Sequence, residues 1–142
     1  MFTHTSFPTI TYAAAAEVVQ TALRLAAESG VAGVVAVVDP SMQMVAFGRA
    51  DGATPHSVDT SRRKADTAAS TRRPTTAMRK DIASALEHGS GGRLTSIGGG
   101  VPLIFDGLHL GGLGLAGGTP EQDAAIALRV LAALGAETAG FE

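Results

Sequence analysis

Lys64 is the side chain of this sequence whose surroundings best suit it to chemistry. It lies in a segment with the pattern of a helix beginning at Ser57, on one helical face with hydroxyl side chains and beside alanines. A lysine that burial partly desolvates has a lowered pKa and can act as a base or hold an anion. The alternative is that Lys64 pairs with Asp59 or Asp51 at the edge of the helix. The residues that share its face are Thr60, Lys64, Thr67 and Thr71.

Two glycine-rich stretches later in the chain are predicted to close on this helix. Gly98–Gly100 precedes a strand and Gly111–Gly118 lacks the Lys-Ser/Thr ending, so neither stretch is typical of a phosphate-binding loop. Glycine lets a backbone approach a ligand or another segment closely. The glycines therefore predict either a ligand site against the helix or a dry packing contact in the sheet or between subunits. The predicted ligand-binding residues are Lys64, Thr67, Gly98, Gly99, Gly100 and Pro102.

Proton transfer would need further side chains near Lys64, and three candidates lie just before it. Asp51, His56 and Ser57 are the predicted catalytic partners if the chain is an enzyme. In that case Lys64 is the base or the anion anchor, and the reaction is an isomerisation, elimination or cyclisation of a small organic metabolite. The sequence has four histidines without a metal-ligand spacing and no cysteine, so no metal site is predicted.

Charge and composition narrow the class of partner. The net charge is −2, yet seven of the eleven basic residues lie between Arg62 and Lys80. Such a patch could attract a carboxylate or phosphate, or it could be an ordinary solvated helix surface. Nucleic-acid binding is disfavoured because the patch has no aromatic residues. The longest apolar run, near Val31–Val38, is too short to cross a membrane, and the N-terminus lacks the pattern of a signal peptide, so we expect a cytoplasmic protein.

The elements that must position these residues follow from hydrophobic periodicity and from turn signals. Helices alternate with two hairpins, which predicts an α+β domain covering residues 1–142, with a core from about residue 10 to about residue 134. The strongest hairpin signal is Asp106-Gly107. The predicted helices are Ala13–Ser29, Ser57–Thr71 capped by Ser57, Thr75–Glu87, and a last helix capped by Thr119; the predicted strands are Val34–Val38, Met44–Phe47, Val101–Phe105, Leu108–Leu115 and, as a fifth, Leu94–Ile97.

Taken together, the short motifs of the chain resemble the GlcG/HbpS family, which also includes the C-terminal domain of PduO-type proteins. The resemblance runs from about Ile10 to Leu134, and the order and spacing of the motifs carry it. These motifs are Val37-Val38-Asp39, Asp51-Gly52-Ala53, Lys64-Ala65-x-Thr67-Ala68, Gly98-Gly99-Gly100-Val101-Pro102, Gly112-x-Gly114-x-x-Gly117-Gly118 and Gln122-Asp123.

The resemblance implies a profilin-like fold, a five-stranded antiparallel sheet with helices on both faces. It also implies a homo-oligomer, from tetramer to octamer, and a small-molecule ligand, with haem or another tetrapyrrole as the candidate cofactor. Three functions stay open at this point. The chain could be a binding module with its pocket between the Ser57 helix and Gly98–Pro102, an enzyme that uses Lys64, or an assembly protein whose glycines only pack subunits together.

Overall fold

The computed structural model describes residues 1–142 and has an α+β architecture, as predicted. A short 3-10 helix, Thr75–Ala77, and four α-helices accompany four strands. In chain order the helices and strands are α1 (Tyr12–Glu28), β1 (Val34–Val38), β2 (Met44–Arg49), α2 (Ser57–Thr71), α3 (Lys80–Gly89), β3 (Gly100–Phe105), β4 (Leu108–Ala116) and α4 (Pro120–Leu134).

The sheet has four antiparallel strands in the order β2-β1-β4-β3, so the predicted fifth strand is wrong. Leu94–Ile97 instead runs as a loop across α2. Its backbone N–H groups are taken by side chains: the N–H of Thr95 donates to Thr67 Oγ1 at 2.9 Å and that of Ser96 to Glu87 Oε1 at 2.7 Å. Because these N–H groups already have partners, they are not available for the backbone hydrogen bonds that would add the segment to the sheet.

Helices cover both faces of this sheet. On one face α1 and α4 pack over a core of 19 buried residues, which includes alternate residues of β1, β3 and β4. On the other face lies α2, against β4, β1 and β3. The contact with β4 is close because Gly112 and Gly114 lack side chains: a Cβ at either position would overlap the backbone carbonyl oxygen of Ala65 or Ser61 in α2. The glycine spacing of β4 therefore lets a helix lie directly on the sheet.

The end signals of the elements are mostly confirmed. Thr11 caps α1 by accepting the Ala14 N–H at 3.1 Å, and Gly30 follows its end at φ +75°. Thr119 forms a capping box with Gln122 at the start of α4. Asp106 and Gly107, at φ +51° and +77°, form the turn between β3 and β4, with both φ values positive as a two-residue type I′ turn requires.

Two predicted helix boundaries are wrong. Ser57 is not the cap of α2, because His56 already has helical dihedrals and becomes the N-cap, without a side-chain capping bond. Ser57 therefore lies inside the first turn, with its Oγ 2.6 Å from Thr54 Oγ1. The predicted helix Thr75–Glu87 is broken, because Met78 and Arg79 are extended between the 3-10 helix and α3. No helix of the chain is both long enough and apolar enough to span a bilayer.

Candidate functional site

Lys64 is buried in an ion pair. Its side chain projects from α2 towards the junction of β4 and α4, and the residue is only 1% exposed. The ammonium group donates to Asp123 Oδ2 at 3.0 Å and to the Leu115 carbonyl at 2.8 Å. Burial lowers the pKa of Lys64, and the charge and hydrogen bond of Asp123 offset part of that shift. The expected partners were wrong, because Asp59 pairs instead with the two arginines beside it in α2.

The ion pair joins three elements at one point. Asp123 lies in the first turn of α4, and its second oxygen accepts the Gly118 N–H at 2.9 Å. Gly99, at φ +125°, passes directly over the pair, and a Cβ there would lie 2.9 Å from Lys64 Nζ. The predicted approach of the glycines to α2 is therefore present. Protein atoms occupy the space between them, namely the Leu115 carbonyl oxygen and the Lys64 and Asp123 side chains.

The other predicted ligand-binding residues lie around this contact. Gly100 packs on the Lys64 carbonyl, and its N–H donates to Thr75 Oγ1 at 3.1 Å. Gly98 faces the first turn of α4, and Pro102 is buried in β3. Of the predicted set, Thr67 also lines a surface pocket, which lies between α2, the 3-10 helix and α3.

The predicted catalytic partners are not bonded to Lys64. Asp51 is exposed in the turn before α2. Ser57 is buried against Thr54, and His56 is exposed at the N-terminus of α2, where it lines a different pocket. The hydrogen bonds of the Lys64 ammonium go to Asp123 and to a backbone carbonyl, so nothing in this arrangement links it to a proton-transfer partner among the three.

A pocket of about 220 Å³ lies between α2, the 3-10 helix and α3, and we call it the α2–α3 pocket. Its walls combine hydrocarbon side chains with two hydroxyl groups and two guanidinium groups. This combination suits an apolar ligand that carries an acidic group. The lining residues are Thr67, Thr71, Arg73, Pro74, Ala77, Met78, Arg79, Ile82 and Leu86.

Positive charge at this pocket is only partly neutralised. Arg79 pairs with Asp81 at 2.5 Å. Arg73 and its neighbour Arg72 form no ion pair, and Arg72 ends α2 in a left-handed conformation at φ +59°. Two guanidinium groups therefore remain available to an anion where α2 ends. The basic patch predicted from the sequence marks this place, although the pocket itself was not predicted.

The helix α3 forms the outer wall of the pocket and is held to the rest of the chain by hydrogen bonds from Ser96 to Glu87 rather than by buried side chains. None of its residues is buried, and Ile82 and Leu86, four residues apart, line the pocket. In the sequence, the apolar residues Ile82 and Leu86, four positions apart after the basic patch, were the pattern that could have indicated this pocket wall. It was assigned only to a helix and not to a binding surface, because the sequence alone does not place α3 against α2.

A second pocket, of about 330 Å³, lies at the other end of α2 and has mixed charge. His56, Asp59 and Arg63 contribute from α2, and Glu87 contributes from α3. Hydrogen bonds from the Ser96 backbone and hydroxyl group lower the pKa of Glu87. Asp59 and Glu87 offset Arg63, so this pocket has no net attraction for an anion. No group of three or more His, Asp or Glu side chains is positioned to hold a metal ion.

Comparison with known proteins gives consistent matches over most of the chain. A family model described as "Haem degrading protein HbpS-like" matches residues 10–132. The sequence is 35% identical over 128 residues to a 15.0 kDa protein from the dhaT-dhaS intergenic region of Citrobacter freundii, covering 84% of this chain and 87% of that protein.

The crystal structure of protein ORFY from Klebsiella pneumoniae is similar, with a TM-score of 0.83 and 33% identity over 97% of this chain and 99% of that one. The crystal structure of a PduOC:haem complex also has a TM-score of 0.83, with 28% identity over 92% of this chain and 98% of that one.

Proposed function

Because this chain belongs to the HbpS-like family, we propose that it is a small-molecule binding protein whose ligand is haem or a related tetrapyrrole. The similarity to a protein crystallised as a haem complex supports this ligand class. We place the binding site in the α2–α3 pocket. The observation that carries this placement is the juxtaposition of an apolar wall with the guanidinium group of Arg73, which forms no ion pair.

The residues present fit the two chemical halves of haem. Its macrocycle is apolar and would lie against Met78, Ile82 and Leu86. Its propionates are carboxylates, which arginine binds through paired, charge-assisted hydrogen bonds. Haem would supply an iron centre whose redox behaviour depends on the protein groups that surround it.

The pocket is too small for a tetrapyrrole unless α3 moves outward. Its volume is about 220 Å³. Pockets that enclose most of a drug-sized ligand have volumes of about 300–1,000 Å³. Since α3 buries none of its residues, its displacement would expose little apolar core. We therefore propose that a tetrapyrrole enters by one edge while α3 moves outward, and that the fixed wall is α2 with the 3-10 helix.

The alternative of an enzyme that uses Lys64 has less support. A general base must reach the proton that it removes, and the Lys64 ammonium is enclosed by Asp123, Leu115 and Gly99. The same enclosure supports a structural role for the predicted ligand-binding glycines. A ligand role for Thr67 remains part of the proposal, because Thr67 borders the α2–α3 pocket.

Haem titration followed by visible absorbance tests this proposal. We expect Arg73→Gln to bind haem about tenfold more weakly, which corresponds to a loss of about 1.4 kcal/mol. The matched control is Arg49→Gln, because Arg49 is an exposed arginine without an ion pair, on the edge strand β2. Equal affinities for the two variants would contradict the placement in the α2–α3 pocket. The absence of saturable binding by the unmodified protein would contradict the proposed function itself.

Three further expectations from the sequence stay predictions. We propose that residues 1–142 form one domain and that the protein acts in the cytoplasm. We also propose that it assembles as a homo-oligomer, and the support for this is its exposed large apolar side chains, among them Phe47 at 42% and Ile97 at 44% exposure.

A further inference from the structure

Met78 carries the only side-chain donor atom of the α2–α3 pocket that is suited to iron and has no other partner. The hydroxyl groups of Thr67 and Thr71 donate to carbonyl oxygens of their own helix, at 2.8 Å in each case. Arginine nitrogens have no lone pair to offer. The remaining lining residues are hydrocarbon. Methionine sulfur is an established axial ligand of haem iron in proteins.

The side chains that most often bind haem iron are absent from this pocket. None of the four histidines lines it, and the chain has no cysteine. His56 lines the pocket at the other end of α2. His109 lies in β4, and its Nε2 is 2.8 Å from the carbonyl oxygen of Ala69 in α2; it does not line the pocket. Any protein ligand to iron at this place must therefore come from another donor.

The backbone holds Met78 at a fixed point beside a movable helix. Its N–H donates to the Thr75 carbonyl, and Thr75 is buried and bonded through its hydroxyl group to the Gly100 N–H at 3.1 Å. This chain of contacts ties the residue to β3. The helix α3 begins two residues later and has no buried residue. When α3 moves, Met78 can stay in place.

We propose that the Met78 sulfur would bind the iron of a haem held in the α2–α3 pocket. This inference rests on the proposed haem-binding function. A thioether is a soft ligand that favours the ferrous state, so it raises the reduction potential of the bound group. The thioether of Met78 would then fix the macrocycle from the side of the 3-10 helix, while Arg73 holds its carboxylates.

Absorption spectra and reduction potentials of the haem-loaded protein test the assignment. Met78→Leu keeps the apolar volume and removes the sulfur, so we expect it to stay folded and to bind haem several-fold more weakly. We also expect it to lose the near-infrared absorption that arises from sulfur-to-iron charge transfer, and to have a lower reduction potential. Met78→His places a stronger donor at the same point and should give the spectrum of an imidazole ligand. The matched control is Met44→Leu, since Met44 is an exposed methionine in β2.

The outcomes separate this inference from the function on which it rests. If the unmodified protein binds haem and Met78→Leu has the same spectrum and potential, Met78 is not a ligand and only this inference fails. If Met78→Leu and Met44→Leu change the spectrum equally, the inference also fails. If the unmodified protein binds no haem, the proposed function fails and the ligand assignment fails with it.

Discussion

At the scale of single residues, Lys64 and Asp123 form a buried contact in which each charge depends on the other. Both side chains are 2% exposed, and the pair links α2 to the first turn of α4. Removing one member of such a pair leaves the other charge in the interior without a partner. The position of Gly99 over the pair means that no side chain could be added there without displacing it.

We expect Asp123→Ala to lower the free energy of unfolding by about 3–5 kcal/mol, because it leaves the Lys64 ammonium buried and unpaired. The double variant with Lys64→Met should be less destabilised than Asp123→Ala alone, because the unpaired charge is then gone. Urea denaturation followed by circular dichroism measures both. The single variant Lys64→Met is measured as well. If the double variant were destabilised by the sum of the effects of Asp123→Ala and Lys64→Met, the two residues would not interact.

A second residue-scale prediction concerns His109, whose Nδ1 is buried without a partner. Burial lowers the pKa of His109 below the usual 6.5; the hydrogen bond with the Ala69 carbonyl raises it in part, and nearby Arg72 lowers it further. Between the folded pKa and 6.5 the unfolded chain binds more protons, so the free energy of unfolding should fall as the pH falls through this window.

Denaturant midpoints measured between about pH 5 and about pH 8 test the role of His109, with His109→Gln as the variant. We expect a weaker dependence on pH in the variant. Burial raises the pKa of Asp66, which gives a slope of opposite sign above its usual 3.8, and this contribution is shared by both proteins. Parallel curves for variant and unmodified protein would rule out His109 as the source of the slope.

At the scale of elements, the contact between α2 and β4 depends on the absence of side chains. Gly114 faces Ser61 so closely that a methyl group would overlap the Ser61 carbonyl oxygen. We expect Gly114→Ala to push α2 off the sheet and to lower the free energy of unfolding by about 1–3 kcal/mol, the usual effect of overpacking. Thermal unfolding followed by circular dichroism measures this effect.

The control for this prediction is Gly89→Ala at the end of α3. Gly89 lies in a helix with open space around its Cα, so a methyl group should stabilise the protein by about 0.5–1 kcal/mol or leave it unchanged. The two glycine substitutions should therefore differ in sign. If both had the same small effect, the close approach of α2 to β4 would not matter to stability.

At the scale of the whole molecule, the unpartnered apolar surface predicts self-association. Met44 and Phe47 of β2, 43% and 42% exposed, flank a surface pocket with Val58 of α2, and the N-terminal residues Phe2 and Phe7 are also exposed. We expect light scattering at micromolar concentration to show an assembly larger than one chain, and Phe47→Ser to reduce its size. A monomer at that concentration would contradict the prediction.

The local elements could be predicted from the sequence because their signals are local. The capping threonines, Gly30 and the Asp106-Gly107 turn act on neighbouring residues, and each behaves as predicted. The errors occur where distant contacts compete with local preference. Leu94–Ile97 was predicted as a strand, but the Thr67 hydroxyl group and the Glu87 carboxylate bind its N–H groups. No local pattern contains those partners.

The sequence by itself determined the family, the α+β class and the approach of the glycines to the Lys64 helix. Only the tertiary structure decided that Asp123, 59 residues away, pairs with Lys64, and that the α2–α3 pocket forms where α2, the 3-10 helix and α3 meet. The physical reason is that spacing along a helix shows which side chains share a face. What that face meets depends on how the sheet and the other helices pack around it.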